Sequence, residues 1–152
     1  MRARGERVKG KRTKEKPKCK IYIFCEGTTE EIHLLDGCKK EGLYNIFSNP
    51  CFEVWFVLHF GGAPYGKTAT QMKHYLKELL KEKCPNYSET VDIYDLLFPM
   101  QKDAIKRAKA LHKSQKEVHK TVYSHECNPY TDIFCFIDHM EKIKRENLHL
   151  GK

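Results

Sequence analysis

The chain has 152 residues, of which 40% are hydrophobic and 32% charged, with a formal net charge of +8. One domain with a real core is expected at this length; no apolar stretch reaches the about 18 residues of a membrane span, and the charged N-terminus argues against secretion, so a cytoplasmic protein is expected. Seven cysteines with no C-x-x-C imply reduced thiols rather than a disulfide framework or a zinc site, and His125-Glu126-Cys127 has no second ligand pair at useful spacing.

Residues 1–20, "MRARGERVKGKRTKEKPKCK", hold ten Lys/Arg and two Glu, while the remainder holds 18 of each sign. The whole excess charge therefore sits in these residues, on a basic arm, 1–19, and on Lys20 at the start of a single domain over 20–152. With Gly5, Gly10 and Pro17 and almost nothing apolar, the arm is expected to be disordered alone. Arg2, Arg4, Arg7, Lys9, Lys11 and Arg12 are its candidate nucleic-acid contacts, acting on phosphates through counterion release. The plain alternative is a solubilising tail.

"KIYIFC", 20–25, reads as a central strand covered on both sides. "EGTTEE" follows, with Thr28 and Glu31 forming a capping box for a helix whose face is Ile32, Leu34, Leu35 and Cys38 and which ends near Gly42. Glu26 lies just past the strand, where open α/β folds bind ligands, and Gly27 permits a tight turn. Glu30 is four residues on; the two carboxylates either hold a divalent metal or only cap the helix. "YNIF" reads as a second strand. "SNP" predicts a helix start with Asn49 as N-cap and Pro50 at the first helical position.

"CFEVWFVLHF", 51–60, is apolar on every side, so it is a buried helix or a buried strand. Glu53 is the only charge between Pro50 and His59, and a buried carboxylate needs a partner. It is either an internal cap contact one turn after Asn49 or part of a site facing the end of the first strand. Trp55 and His59 stand one helical turn apart.

"GGAPYGKT", 61–68, fits the phosphate-loop pattern with Gly61, Gly66, Lys67 and Thr68. A phosphate cradle needs successive backbone N–H donors, and Pro64 removes one; a nucleotide fold also needs several parallel strands. A connector between two helices is the competing reading. Thr68 to Lys83 is a helix with the stripe Met72, Tyr75, Leu76, Leu79 and Leu80, capped by Thr68 and Gln71. Ile93, Leu96 and Leu97 form a short helix stopped by Pro99. Ala104, Ile105, Ala108, Leu111 and His112 mark a longer one. Ile133, Phe134, Phe136, Ile137, Met140 and Ile143 give a last helical face, although "IFCFID" also fits a strand whose Asp138 would hold magnesium.

Taken together, the basic arm, a strand, "CEGTTE" and then "SNPCFEVWFVLHF" resemble the RloB-like family, small Toprim-like proteins found with bacterial restriction and abortive-infection (phage defence) systems. "DAIKRAKAL" and "NPYTDIFCFID" are similar to that family as well. The resemblance covers most of the chain, and "SNPCFEVWFVLHF" is its specific part, with Gly27, Asn49, Pro50, Trp55 and His59 as motif residues. It implies that the motif leads from a strand into a helix. It also implies an α/β, helix-rich, reduced Toprim-like fold with a small parallel sheet.

Toprim-like enzymes place a Glu after the first strand for proton transfer and an Asp-x-Asp pair after a later strand for magnesium, which stabilises charge on a phosphate under attack. By this resemblance Glu26 and Glu53 are catalytic candidates, Glu26 and Glu30 metal ligands, and Mg2+ the cofactor. No Asp-x-Asp occurs in the sequence; "DIYD", 92–95, has the wrong spacing. Family members carry several tens of residues where this chain passes from Lys40 to Tyr44, so an internal segment is missing relative to them. The expectation is a nuclease-like protein with weak or absent magnesium binding and little or no cleavage of nucleic acid. The competing classes are a non-catalytic nucleic-acid or partner-binding remnant and a phosphate-loop nucleotide-binding protein. Expected partners are nucleic acid, an ATPase protein and a second copy in a homodimer.

Overall fold

The computed structural model describes residues 21–26, 43–119 and 125–150. The basic arm, Gly27, Glu30 and the helix expected between Thr28 and Gly42 lie outside the described residues. What is described is a helix-rich α/β arrangement. No described helix is long and apolar enough to cross a membrane.

Strand β1 (Ile21–Glu26) pairs in parallel with β2 (Leu43–Asn49), from Ile21 opposite Leu43 to Glu26 opposite Ser48. A third strand, β3 (Tyr130–Thr131), pairs antiparallel with the end of β2, so the described sheet has the order β1-β2-β3. The parallel pair is as expected, but the central strand of this sheet is β2, not β1. Ile46 and Phe47, pointing to opposite faces, are both buried, whereas Phe24 of β1 is half-exposed. Two residues are too few for β3 to carry a period, which is why the sequence pattern misses it.

The helix expected from Pro50 starts three residues later. Helix α1 runs over Glu53–Phe60, with Phe52 at the N-cap position and no side-chain cap. Asn49 is instead the last residue of β2, and its side-chain amide donates to the carbonyls of His125 (3.1 Å) and Cys127 (2.8 Å). An amide held by a distant loop is not available to a helix start, and a residue before proline avoids the helical region. The Asn49–Pro50 bond is cis. From there α1 is buried at Val54, Trp55, Val57, Leu58 and His59, so it is apolar all round because it lies inside the molecule.

Helix α2 (Ala69–Leu80) has the expected capping box: the Thr68 hydroxyl accepts from the Gln71 amide, and the Gln71 side chain accepts from the Thr68 amide. Met72, Leu76 and Leu80 are fully buried against α1, but Tyr75 is exposed, so the buried stripe is narrower than the spacing predicts. Helix α3 (Tyr94–Leu97) passes through a 3-10 turn (Phe98–Met100) straight into α4 (Gln101–Val118). Pro99 therefore does not stop a helix. It occupies the first turn of a new helical segment, where its missing N–H leaves no bond unmade.

On α4, Ala104 and Ala108 have no exposed surface, and small side chains let its backbone approach α1 closely. Arg107 then reaches across to the carbonyls of Leu58 (2.7 Å) and His59 (3.1 Å), satisfying acceptors that the last turn of α1 leaves open. Helix α5 (Ile133–Leu150) settles the "IFCFID" ambiguity as helix. Its face is buried only at the start, at Ile133 and Phe134, while Met140 is exposed. Asp138 pairs with Lys109 of α4 at 2.6 Å, so it is a helix-surface ion pair rather than a strand-end magnesium ligand.

Candidate functional site

Three places carry the residues singled out in the sequence. The first is the carboxyl end of β1. Glu26 is its last residue, opposite Ser48 in the ladder. The Ser48 hydroxyl is hydrogen-bonded to that of Thr131 at 2.8 Å. One step along, the buried carboxylate of Asp132 accepts from the Phe47 amide at 2.5 Å, while its own amide donates to the Phe47 carbonyl. Sequence reasoning gave Asp132 no role; it has no spacing signature, and its bond spans most of the chain. Beside Glu26 the sheet thus supplies paired hydroxyls and a carboxylate already committed to the backbone. Among the described residues that donor set does not fit magnesium, which takes several oxygen ligands with near-octahedral geometry. Among the described residues no group of three or more His, Cys, Asp and Glu is placed to hold a metal ion.

The second place is the glycine-rich segment between α1 and α2. The residues before it form a helix, not the strand a phosphate loop requires. The Gly66 amide, which a cradle would aim at phosphate, donates to the Asn128 carbonyl at 3.4 Å. The Asn128 side chain in turn donates to the Lys67 carbonyl at 2.8 Å. Gly66 has φ +64, a left-handed backbone that suits glycine at a turn. The segment is a connector tied to the loop before β3.

The third place is built on α1. Glu53 is 7% exposed, in the first turn of the helix, and its carboxylate turns toward α2 rather than toward β1. Its Oε1 lies 3.7 Å from Lys73 Nζ, which also contacts Glu89 at 2.8 Å. Its Oε2 is buried and has no hydrogen-bond partner among the described residues. Glu53, Lys73, His74, Lys77, Tyr87 and Glu89 line a hollow of about 290 Å³ there.

A neighbouring hollow of about 320 Å³ opens on the other side of Tyr87 and Glu89, with aromatic walls from Trp55, Phe56, Tyr94 and Phe98. Trp55 and His59 meet edge to face at 4.8 Å, and His59 Nδ1 lies 2.9 Å from the Trp55 carbonyl, so that nitrogen carries the proton. Burial lowers the pKa of His59, against the pull of that hydrogen bond, and keeps the ring neutral. Burial, followed by the Glu53 and Glu89 charges, raises that of Tyr87. The hydrogen bond and charge of Lys73 lower that of Glu89.

The structure therefore brings Glu53, Trp55 and His59 together around two adjoining hollows and leaves Glu26 and Asn49 elsewhere. The residues that complete the hollows, Lys73, Tyr87, Glu89, Tyr94 and Phe98, were not singled out in the sequence. Only the Lys73/Lys77 pair, four apart on one helix, left a signal that could have been read.

The family model described as RloB-like protein matches residues 35–140, more than half of the chain. That span contains "SNPCFEVWFVLHF", "DAIKRAKAL" and "NPYTDIFCFID"; "CEGTTE" and the basic arm fall before it. No curated protein and no solved structure matches the chain.

Proposed function

The chain belongs to the RloB-like protein family, and from that premise we propose a cytoplasmic, defence-associated nucleic-acid-binding protein of Toprim-like descent whose phosphodiester chemistry is weak or lost. One observation carries this reading. Glu26 ends a strand that runs parallel to β2, the position at which open α/β sheets present ligand-binding groups, yet its ladder partner there is Ser48, whose hydroxyl is bonded to that of Thr131 on the next strand. A Toprim-type reaction needs a second carboxylate set for magnesium, and the sequence contains no Asp-x-Asp. Binding without efficient cleavage follows, with the basic arm supplying the affinity for phosphate. An ATPase partner and a homodimer belong to the same proposal.

The test is a cleavage assay on DNA and RNA with magnesium or manganese, comparing the wild-type chain with Glu26→Ala. Loss of a working acid–base group costs about 10²–10⁴-fold, so near-identical low rates are expected. Robust wild-type cleavage that disappears in Glu26→Ala would overturn the proposal.

A further inference from the structure

We infer that the two hollows flanking Tyr87 and Glu89 form one cleft for a ribonucleotide unit, with the base among the aromatic walls and the sugar hydroxyls on Glu53. In the aromatic hollow, Tyr94 and Phe98 stack on each other at 5.3 Å and 29°, yet they remain 60% and 55% exposed. Such surface is costly to leave in water, and its flat walls match a planar, uncharged ring better than a branched aliphatic ligand. At about 320 Å³ the hollow is large enough for one small-molecule ring system.

Glu53 supplies the second, independent observation. Its side chain is buried, and Oε2 has no donor among the described residues. A buried carboxylate oxygen without a hydrogen bond is unfavourable; Glu53 lines the second hollow behind Lys73, so a ligand that displaces the Lys73 ammonium and brings hydroxyl donors completes the carboxylate. A carboxylate accepting from a ribose hydroxyl is the chemistry by which nucleotide-binding folds hold that sugar. Lys77 lines the same hollow and gives a phosphate attached to the sugar a place of complementary charge. Free nucleotide and a residue within single-stranded RNA share this chemistry. The inference deepens the nucleic-acid reading and rests on it for RNA as the source.

Trp55 is the chain's one tryptophan and lines the aromatic hollow, so its fluorescence reports on the cleft directly. The full chain is titrated with adenosine and uridine 5′-monophosphates, with their 2′-deoxy counterparts, and with a short single-stranded RNA. Saturable quenching is expected from ribonucleotides, weakened about tenfold by Tyr94→Ala; Tyr94 is exposed, so circular dichroism should be unchanged. Glu53→Gln should narrow the preference for ribo- over deoxyribonucleotides. Tighter binding of the RNA than of the monophosphates would assign RNA as the source, and the reverse order free nucleotide; either supports the cleft. Mononucleotide quenching in a chain that binds no long nucleic acid would sustain the cleft and sink the nucleic-acid reading. Binding of long nucleic acid with Trp55 unmoved, or equal affinity for ribo and deoxy forms, would overturn this inference.

Discussion

Asp132 ties α5 and β3 to the central strand through a single carboxylate. Its Oδ1 accepts from the Phe47 amide in the interior, so removing the side chain strands a buried N–H. Hydrogen bonds to charged groups contribute about 1.5–3 kcal/mol. Asp132→Ala is expected to cost about that much in urea unfolding, and Asp132→Asn, which keeps an acceptor, clearly less; equal losses would show that the charge rather than the bond matters. His59 makes a pH prediction of known sign. Burial lowers its pKa below the ordinary 6.5, and His112 on α4 is lowered in the same way. Between the folded and unfolded values the unfolded chain binds more protons, so stability rises with pH. The contribution is complete above about pH 6.5 and is lost as pH falls through the folded values. His59→Gln should flatten the slope of unfolding midpoint against pH below about 6.5, and an unaltered slope would remove His59 from the account.

At the scale of elements, the contrast between Thr68 and Lys67 separates local from imagined chemistry. Thr68 makes a capping box whose two bonds are both present, so Thr68→Ala should destabilise by about 1 kcal/mol. Among the described residues the Lys67 side chain makes no bond that the fold depends on; its carbonyl, which Asn128 uses, survives substitution. Lys67→Ala should therefore shift stability by no more than about 0.5 kcal/mol and alter no nucleotide binding. Saturable ATP binding abolished by Lys67→Ala would restore the phosphate loop. Capping chemistry was readable because it lies within four residues. The start of α1 was not, because Asn49 is claimed by carbonyls at His125 and Cys127, far along the chain. Pro99 misled for a related reason: proline ends a helix or begins one, and the 3-10 turn into α4 made it a beginning.

For the whole molecule, charge is the feature the sequence displays without any fold. The excess of +8 lies in residues 1–20 while the remainder is balanced. Replacing Arg2, Arg4, Arg7, Lys9, Lys11 and Arg12 with Gln should weaken DNA or RNA binding and flatten its dependence on salt. On duplex DNA the log–log slope should fall by up to about 0.9 for each phosphate no longer neutralised. A binding slope indifferent to these six changes would move the nucleic-acid surface to the folded region.

The family, the helix-rich character and a buried segment over 51–60 were legible in the sequence, and the family motif implied that this segment is a helix and that the sheet is parallel. Each rests on a local pattern: a motif, a capping box, or a run too apolar for a surface. Glu53, Trp55 and His59 were legible as oddities because a lone charge or histidine in such a run stands out. Their surroundings were not. Whether Glu53 faced β1 or α2 depended on how α1 rotates when it packs between α2 and α4, a choice made by Met72, Leu76, Ala104 and Ala108 together. Tyr87, Tyr94 and Phe98 look like ordinary loop and helix aromatics until that packing sets them around a hollow. Asp132 joins β2 across 85 positions, and no spacing rule spans that distance. Local propensity and periodicity are properties of neighbours in sequence; a site made of separate elements exists only once the core has fixed their rotation and approach.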